Sequence, residues 1–140
     1  MKNIVLLLFF VLGSSCGDGM NQLKNDRFYS NAFEEQLKNN DLVMIDLSTT
    51  DEDWDSIIVL RPYTDIDLLE DELSLNLSNI SLNRITTDDT INLFVFLKEN
   101  KSVKIIEMSR VLGDFNNYDT IISKKDAKFK KTKNGLEFVK

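Results

Sequence analysis

The sequence has no histidine, one cysteine (Cys16), one proline (Pro62) and five glycines in 140 residues. Each shortage excludes a class of chemistry. A Cys/His zinc site cannot be built from one thiol and no imidazole. A Ser/His/Asp or Cys/His nucleophile system lacks its base. One sulfur cannot close an intramolecular disulfide. A net charge of −6 repels phosphate and argues against a nucleic-acid partner. No cofactor and no metal are expected. Long apolar runs are also missing. The longest, Ile4–Leu12, is nine residues, about 14 Å as a helix and roughly half of a ~30 Å hydrocarbon core.

What is present concentrates at the N-terminus. Lys2 precedes the apolar run, and Gly13-Ser14-Ser15-Cys16 follows it. This is the pattern of an export signal. With its small residues and cysteine it resembles a bacterial lipoprotein signal, in which acyl chains are attached at the cysteine and cleavage occurs before it. The usual aliphatic residue three positions before the cysteine is Gly13 here, with Leu12 one step further back. Gly13 and Ser15 also satisfy the small-x-small rule of plain secretion, so that alternative stays open. A lone thiol in an oxidising space favours the lipidated reading. Residues 1–15 are then the signal peptide. The mature chain is Cys16–Lys140, 125 residues with charge −7 after loss of Lys2. Its first partner is a membrane, reached through palmitate-type acyl chains on Cys16. Gly17 rather than Asp after the cysteine permits outer-membrane placement in a two-membrane cell, facing the periplasm.

Residues 16–27 read as a flexible tether, and 28–140 as a single α+β domain. Ser30 is expected to cap a helix over 31–39, and residues 42–47 suit a strand. Ile57–Leu60 reads as a central strand ended by Pro62. Thr64 is expected to cap a helix reaching about residue 74. Residues 75–90 read as irregular with one short strand. Ile91–Leu97 and Val103–Met108 form a hairpin across Lys98–Lys101. A loop over 109–120 precedes a single helical turn begun by Ser123. A last hairpin pairs 127–131 with 136–139 across Asn134-Gly135, a turn signal because both residues accept positive φ. The result is a mostly antiparallel sheet of five to six strands with two short helices.

The stretch Trp54-Asp55, aliphatic Ile57–Leu60, then Pro62-Tyr63-Thr64 resembles a group of small bacterial lipoproteins of unknown function. The likeness continues through Asn92–Phe96, Val103-Lys104, Arg110 and Gly113-Asp114-Phe115, and spans roughly 54–130. It implies an envelope protein and assigns no chemistry.

The candidate binding residues are Trp54, Arg61, Tyr63, Arg110, Asp114 and Phe115. Trp54, Tyr63 and Phe115 form either an aromatic patch or part of the core. Arg61 and Arg110 either recognise an anion or pair with the surplus carboxylates. Asp114 beside Gly113 is a turn residue before it is an acid. Asp51-Glu52-Asp53-Trp54-Asp55 lacks the later glycine and glutamate of a calcium loop. Residues 41–75 hold eleven acids against Arg61, a charge of −10, while residues 121–140 hold seven lysines and two acids, a charge of +5. The basic tail, with Lys128-Phe129-Lys130, reads as a charged edge strand. The functional expectation is a non-enzymatic binding or accessory module with an unidentified protein partner. One alternative is an inhibitor or immunity-type lipoprotein docking a basic protein on 41–75. The other is a carboxylate-only hydrolase.

Overall fold

The computed structural model describes residues 21–39 and 44–139. The signal peptide, Cys16 and the start of the expected 42–47 strand lie outside them. The described chain is α+β, with two helices and seven strands in two antiparallel sheets.

Helix α1 (Arg27–Lys38) is followed by β1 (Met44–Asp46), β2 (Ser56–Leu60) and helix α2 (Ile66–Leu73). Then come β3 (Ile91–Lys98), β4 (Lys101–Ser109), β5 (Ile122–Ser123), β6 (Lys128–Thr132) and β7 (Gly135–Phe138). One sheet has the order β4-β3-β2-β5 and the other β1-β6-β7.

The four-stranded sheet is the middle layer, and its sequence shows why. Along β2, Ile57 and Val59 face one core while Ile58 and Leu60 face another. Along β3, Phe94 and Phe96 join the first core, and Leu93, Val95 and Leu97 join the second. Alternate side chains point to opposite faces, so a strand covered on both sides reads as an unbroken apolar run. The first core is closed by α1 and the β1-β6-β7 sheet through Phe33, Phe129 and Phe138, and by Phe115 from the loop after β4. The second is closed by α2 and two 3₁₀ turns, Ser78–Ile80 and Arg84–Thr86.

Several expectations are corrected. Helix α1 begins four residues earlier than expected, at Arg27, capped by Asp26, whose carboxylate accepts from the Tyr29 N–H. Ser30 lies inside the helix, where its hydroxyl donates to the Glu107 carbonyl and ties α1 to β4. Asp65, not Thr64, caps α2, accepting from the Leu68 N–H. Thr64 is buried and donates to the Arg61 carbonyl at 2.7 Å, closing the turn at Pro62-Tyr63. Residues 75–90 contain no strand, only an isolated bridge from Asn76 to Lys101. The helical turn expected from Ser123 does form, as a 3₁₀ turn over Lys124–Asp126 with Ser123 at its N-cap, and the short strand β5 immediately precedes it.

Strand β6 is not an edge: it pairs with β1 on one side and β7 on the other. Two of its three lysines are neutralised by cross-strand acids, Lys128 by Asp46 at 3.4 Å and Lys130 by Glu137 at 3.2 Å, and the third, Lys131, donates to the Leu37 carbonyl. The β6–β7 loop is Lys133-Asn134, closed by the Thr132–Gly135 pair. Gly135 has φ +131 and Asn134 is not at positive φ. The two-residue loop with both residues at positive φ is instead Glu99-Asn100 between β3 and β4, φ 49 and 62.

The domain also includes residues before 28. Asn25 bridges to Ile105, and the Leu23 N–H donates to the Asn79 carbonyl at 2.8 Å. The Gln22 side-chain amide donates to the Ser78 carbonyl at 3.0 Å. Residues 22–26 are therefore part of the domain surface, not free tether.

Candidate functional site

Three of the candidate residues meet at one end of the four-stranded sheet. Arg61 follows β2, Arg110 follows β4, and Asp114 lies in the loop beyond. The Arg110 guanidinium grips Asp114 with both arms, Nε to Oδ1 at 2.6 Å and a second nitrogen to Oδ2 at 2.9 Å. Its remaining arm donates to the Asp89 carbonyl at 2.8 Å. Arg61 donates to Asp119 at 3.0 Å and lies over the Tyr118 ring, 5.4 Å from its centroid. The Tyr118 hydroxyl donates to Asn92 Oδ1 at 2.6 Å. Asn92 is fully buried, and its amide donates to the Gly113 carbonyl at 3.0 Å.

This cluster is a polar clamp. It joins the start of β3 to the 110–119 loop and leaves both arginines neutralised by carboxylates. A bidentate Arg–carboxylate pair is the strong form of such a contact. The Arg110 hydrogen bond holds the Asp114 carboxyl below its usual range. Burial pushes the Tyr118 hydroxyl up. Asp119 Oδ1 is enclosed and has no hydrogen-bond partner among the described residues. Asn92, Tyr118 and Asp119 were not candidates from sequence. Asn92 carried a signal, being the one polar residue within the run Ile91–Leu97.

The other candidates go elsewhere. Phe115 is inside the first core, against Phe94, Phe129 and Phe138. Trp54 is at the opposite end of β2 and only 4% exposed. Its ring meets Phe96 edge-on at 5.1 Å, and its indole N–H donates to Thr50. Tyr63 stands alone at the α2 start, 62% exposed. Its N–H is held by the Ile85 carbonyl and its φ is +61.

The acidic stretch 51–55 is tied down. Glu52 takes both its oxygens to Lys104 Nζ at 2.8 Å, and Lys104 lies over the Tyr29 ring. Burial pushes the Glu52 carboxyl up, but hydrogen bonds from Lys104 and Tyr29 outweigh it, and the net direction is down. Asp55 accepts the Glu99 N–H at 2.8 Å, which bolts the loop to the β3–β4 turn and holds its carboxyl low. Asp53 pairs with Lys98. Every carboxylate with a resolved shift (Asp46, Glu52, Asp55, Asp88, Asp114) moves downward.

These directions fix the pH behaviour. A carboxyl whose folded pKa lies below its unfolded value stabilises the fold above the unfolded pKa of about 4 and loses that stability as pH falls through the folded one. The hydroxyls of Tyr118, raised by burial, and Tyr29, raised by its bond to Glu52, act in the opposite sense. Their contribution is lost as pH rises past about 10. With no histidine, the melting temperature by circular dichroism should be level from about pH 6 to 8 and fall below about pH 4. A step between pH 6 and 8 would contradict these assignments.

Among the described residues no group of three or more Cys, Asp or Glu side chains is arranged to hold a metal ion. No described helix is long and apolar enough to cross a membrane. What the arrangement offers chemically is surface. The outward side of α2 exposes Asp65, Asp67, Leu68, Asp71 and Glu72 beside Tyr63. None of these acids forms an ion pair among the described residues. No protein family, curated protein or solved structure matches the chain.

Proposed function

We propose that the chain is a lipid-anchored protein of the cell envelope that works as a binding or accessory module rather than as an enzyme. One observation carries this: Lys2, the nine-residue apolar run and Gly13-Ser14-Ser15 lead directly to Cys16, the one thiol in the sequence. The resemblance around Trp54–Thr64 supports it. So does the polar chemistry of the domain, where each candidate arginine is occupied by a carboxylate and each shifted carboxyl moves away from the raised pKa of a general acid. The acyl chains attach through Cys16, the domain stays outside the bilayer, and surface contacts do the work.

Replacing Cys16 with Ala tests the anchor. The variant should take up no labelled fatty acid and should move from the membrane to the soluble fraction. Continued labelling of Cys16→Ala would refute the reading.

A second reading is favoured by the outer side of α2. Tyr63 and Leu68, 62% and 55% exposed, stand among acids with no basic neighbour bonded to them. That combination suits an inhibitor or immunity-type lipoprotein that covers a basic protein, with apolar anchors inside a charged rim. A one-to-one complex weakened by salt and by Asp67→Lys would distinguish it from a neutral accessory module.

A further inference from the structure

We infer that the anchored domain lies against the bilayer with the surface formed by Leu82, Lys24 and Arg27 turned to the lipid. This rests on the acylation of Cys16 proposed above.

The first support is reach. Gln22 is fixed to the domain at three points: its amide donates to the Ser78 carbonyl and to Ser81 Oγ, and its carbonyl oxygen accepts the Leu82 N–H at 3.1 Å. From Cys16 to Gln22 is six residue steps, at most about 22 Å even fully extended. A domain of this size is roughly 35 Å across. The side opposite Gln22 therefore cannot meet the surface in which the acyl chains sit, and contact is confined to the half of the domain that carries Gln22.

The second support is the chemistry of that side. Leu82 is 82% exposed and directly beside Gln22. Its backbone is rigid, because it joins the two 3₁₀ turns. The Asn83 N–H donates to Ile80, and Asn83 Oδ1 caps Ile85. An exposed leucine held out on a stiff turn has no packing role in the domain. Lys24 and Arg27 line the same groove of about 600 Å³, both exposed and with no ion pair among the described residues. The third base there, Arg84, is taken by Asp88 and Glu107. The acidic start of α2 opens instead on a separate groove past Ser81. One inserted apolar side chain beside two unpaired bases matches a phospholipid interface, where buried apolar area and attraction to anionic headgroups add. A protein partner at this groove would have to compete with the membrane that the tether holds beside it.

The test uses the acylated full chain in vesicles of phosphatidylcholine and phosphatidylglycerol carrying doxyl-labelled lipid. With the Cys16 thiol consumed, a thiol introduced by Leu82→Cys is the one available for a fluorophore. Lys133→Cys, in the β6–β7 loop on the far layer, is the control. Doxyl lipid should quench the label at position 82 several-fold more than the label at 133. Equal quenching in vesicles that still float the protein would overturn the proposed face and leave the anchor intact. Failure of the protein to float with the vesicles would overturn the anchor and the face together.

Discussion

Trp54→Ala should lower the free energy of unfolding by about 3–5 kcal/mol, the cost of truncating a large buried aromatic. The indole is 4% exposed and caps the first core at the start of β2. Its truncation removes the edge-on contact with Phe96 at 5.1 Å and leaves a cavity beneath the 51–55 loop. Lys124 Nζ, 4.8 Å over the ring, loses its cation–π partner. Thr50 Oγ1 loses its donor. Trp54→Phe should recover most of the loss. Denaturant unfolding is best followed by far-ultraviolet circular dichroism, because Trp54 is the only tryptophan and its fluorescence disappears with it. A loss under ~1 kcal/mol would mean that the ring is not a core element and would return it to a ligand-facing role.

Gly135→Ala should destabilise by about 2–4 kcal/mol, a strained dihedral combined with overpacking against backbone. Gly135 has φ +131, a region that residues with a β-carbon rarely enter. A methyl group there would also overlap the Asp114 carbonyl oxygen. That oxygen cannot move cheaply, since it accepts the Leu136 N–H at 2.6 Å while the Asn116 N–H returns to the Leu136 carbonyl. The 114–116 segment in this way covers the outer edge of β7, and the change would pry it off. Gly113→Ala is the internal comparison. Gly113 has φ +130, but a methyl there meets only ordinary contacts. It should cost less, and equal losses at the two glycines would contradict the close approach at Asp114.

The central sheet was the most readable part of the chain. Ile57–Leu60 and Ile91–Leu97 are apolar without interruption because both faces are covered, and that pattern survives translation directly into β2 and β3. Residues whose role depends on distant partners were less readable. The β6 strand alternates Lys with Phe129 as an edge strand would, yet Asp46 and Glu137 sit opposite its lysines and make it central. Ser30 and Thr64 suit helix caps by residue type, but burial against Glu107 and Arg61 claims their hydroxyls, and Asp26 and Asp65 cap instead. Asn134-Gly135 reads as a local turn signal, whereas the glycine answers to the Asp114 backbone, twenty-one residues earlier.

The candidate site divides along the same line. Arg61, Arg110 and Asp114 do gather, but as carboxylate-paired clamps around Tyr118 and the buried Asn92. Trp54 and Phe115 are core, and Tyr63 is the one aromatic candidate left outside. Of the −10 and +5 stretches, one ion pair meets directly, Lys128 on Asp46, and Lys124 reaches the Glu52 backbone carbonyl, while Glu52 and Asp53 are neutralised by Lys104 and Lys98 of the central sheet. The acids of α2 remain outside that neutralisation, which is why a partner surface is placed there.

The anchor at Cys16 is most directly tested by the intact mass of the native protein extracted from membranes. The expected mass is that of a chain that begins at Cys16, lacks residues 1–15 and carries a diacylglyceryl group with its acyl chains. A chain that retains Met1–Ser15, or one that begins at Cys16 with a free thiol and no lipid, would contradict it.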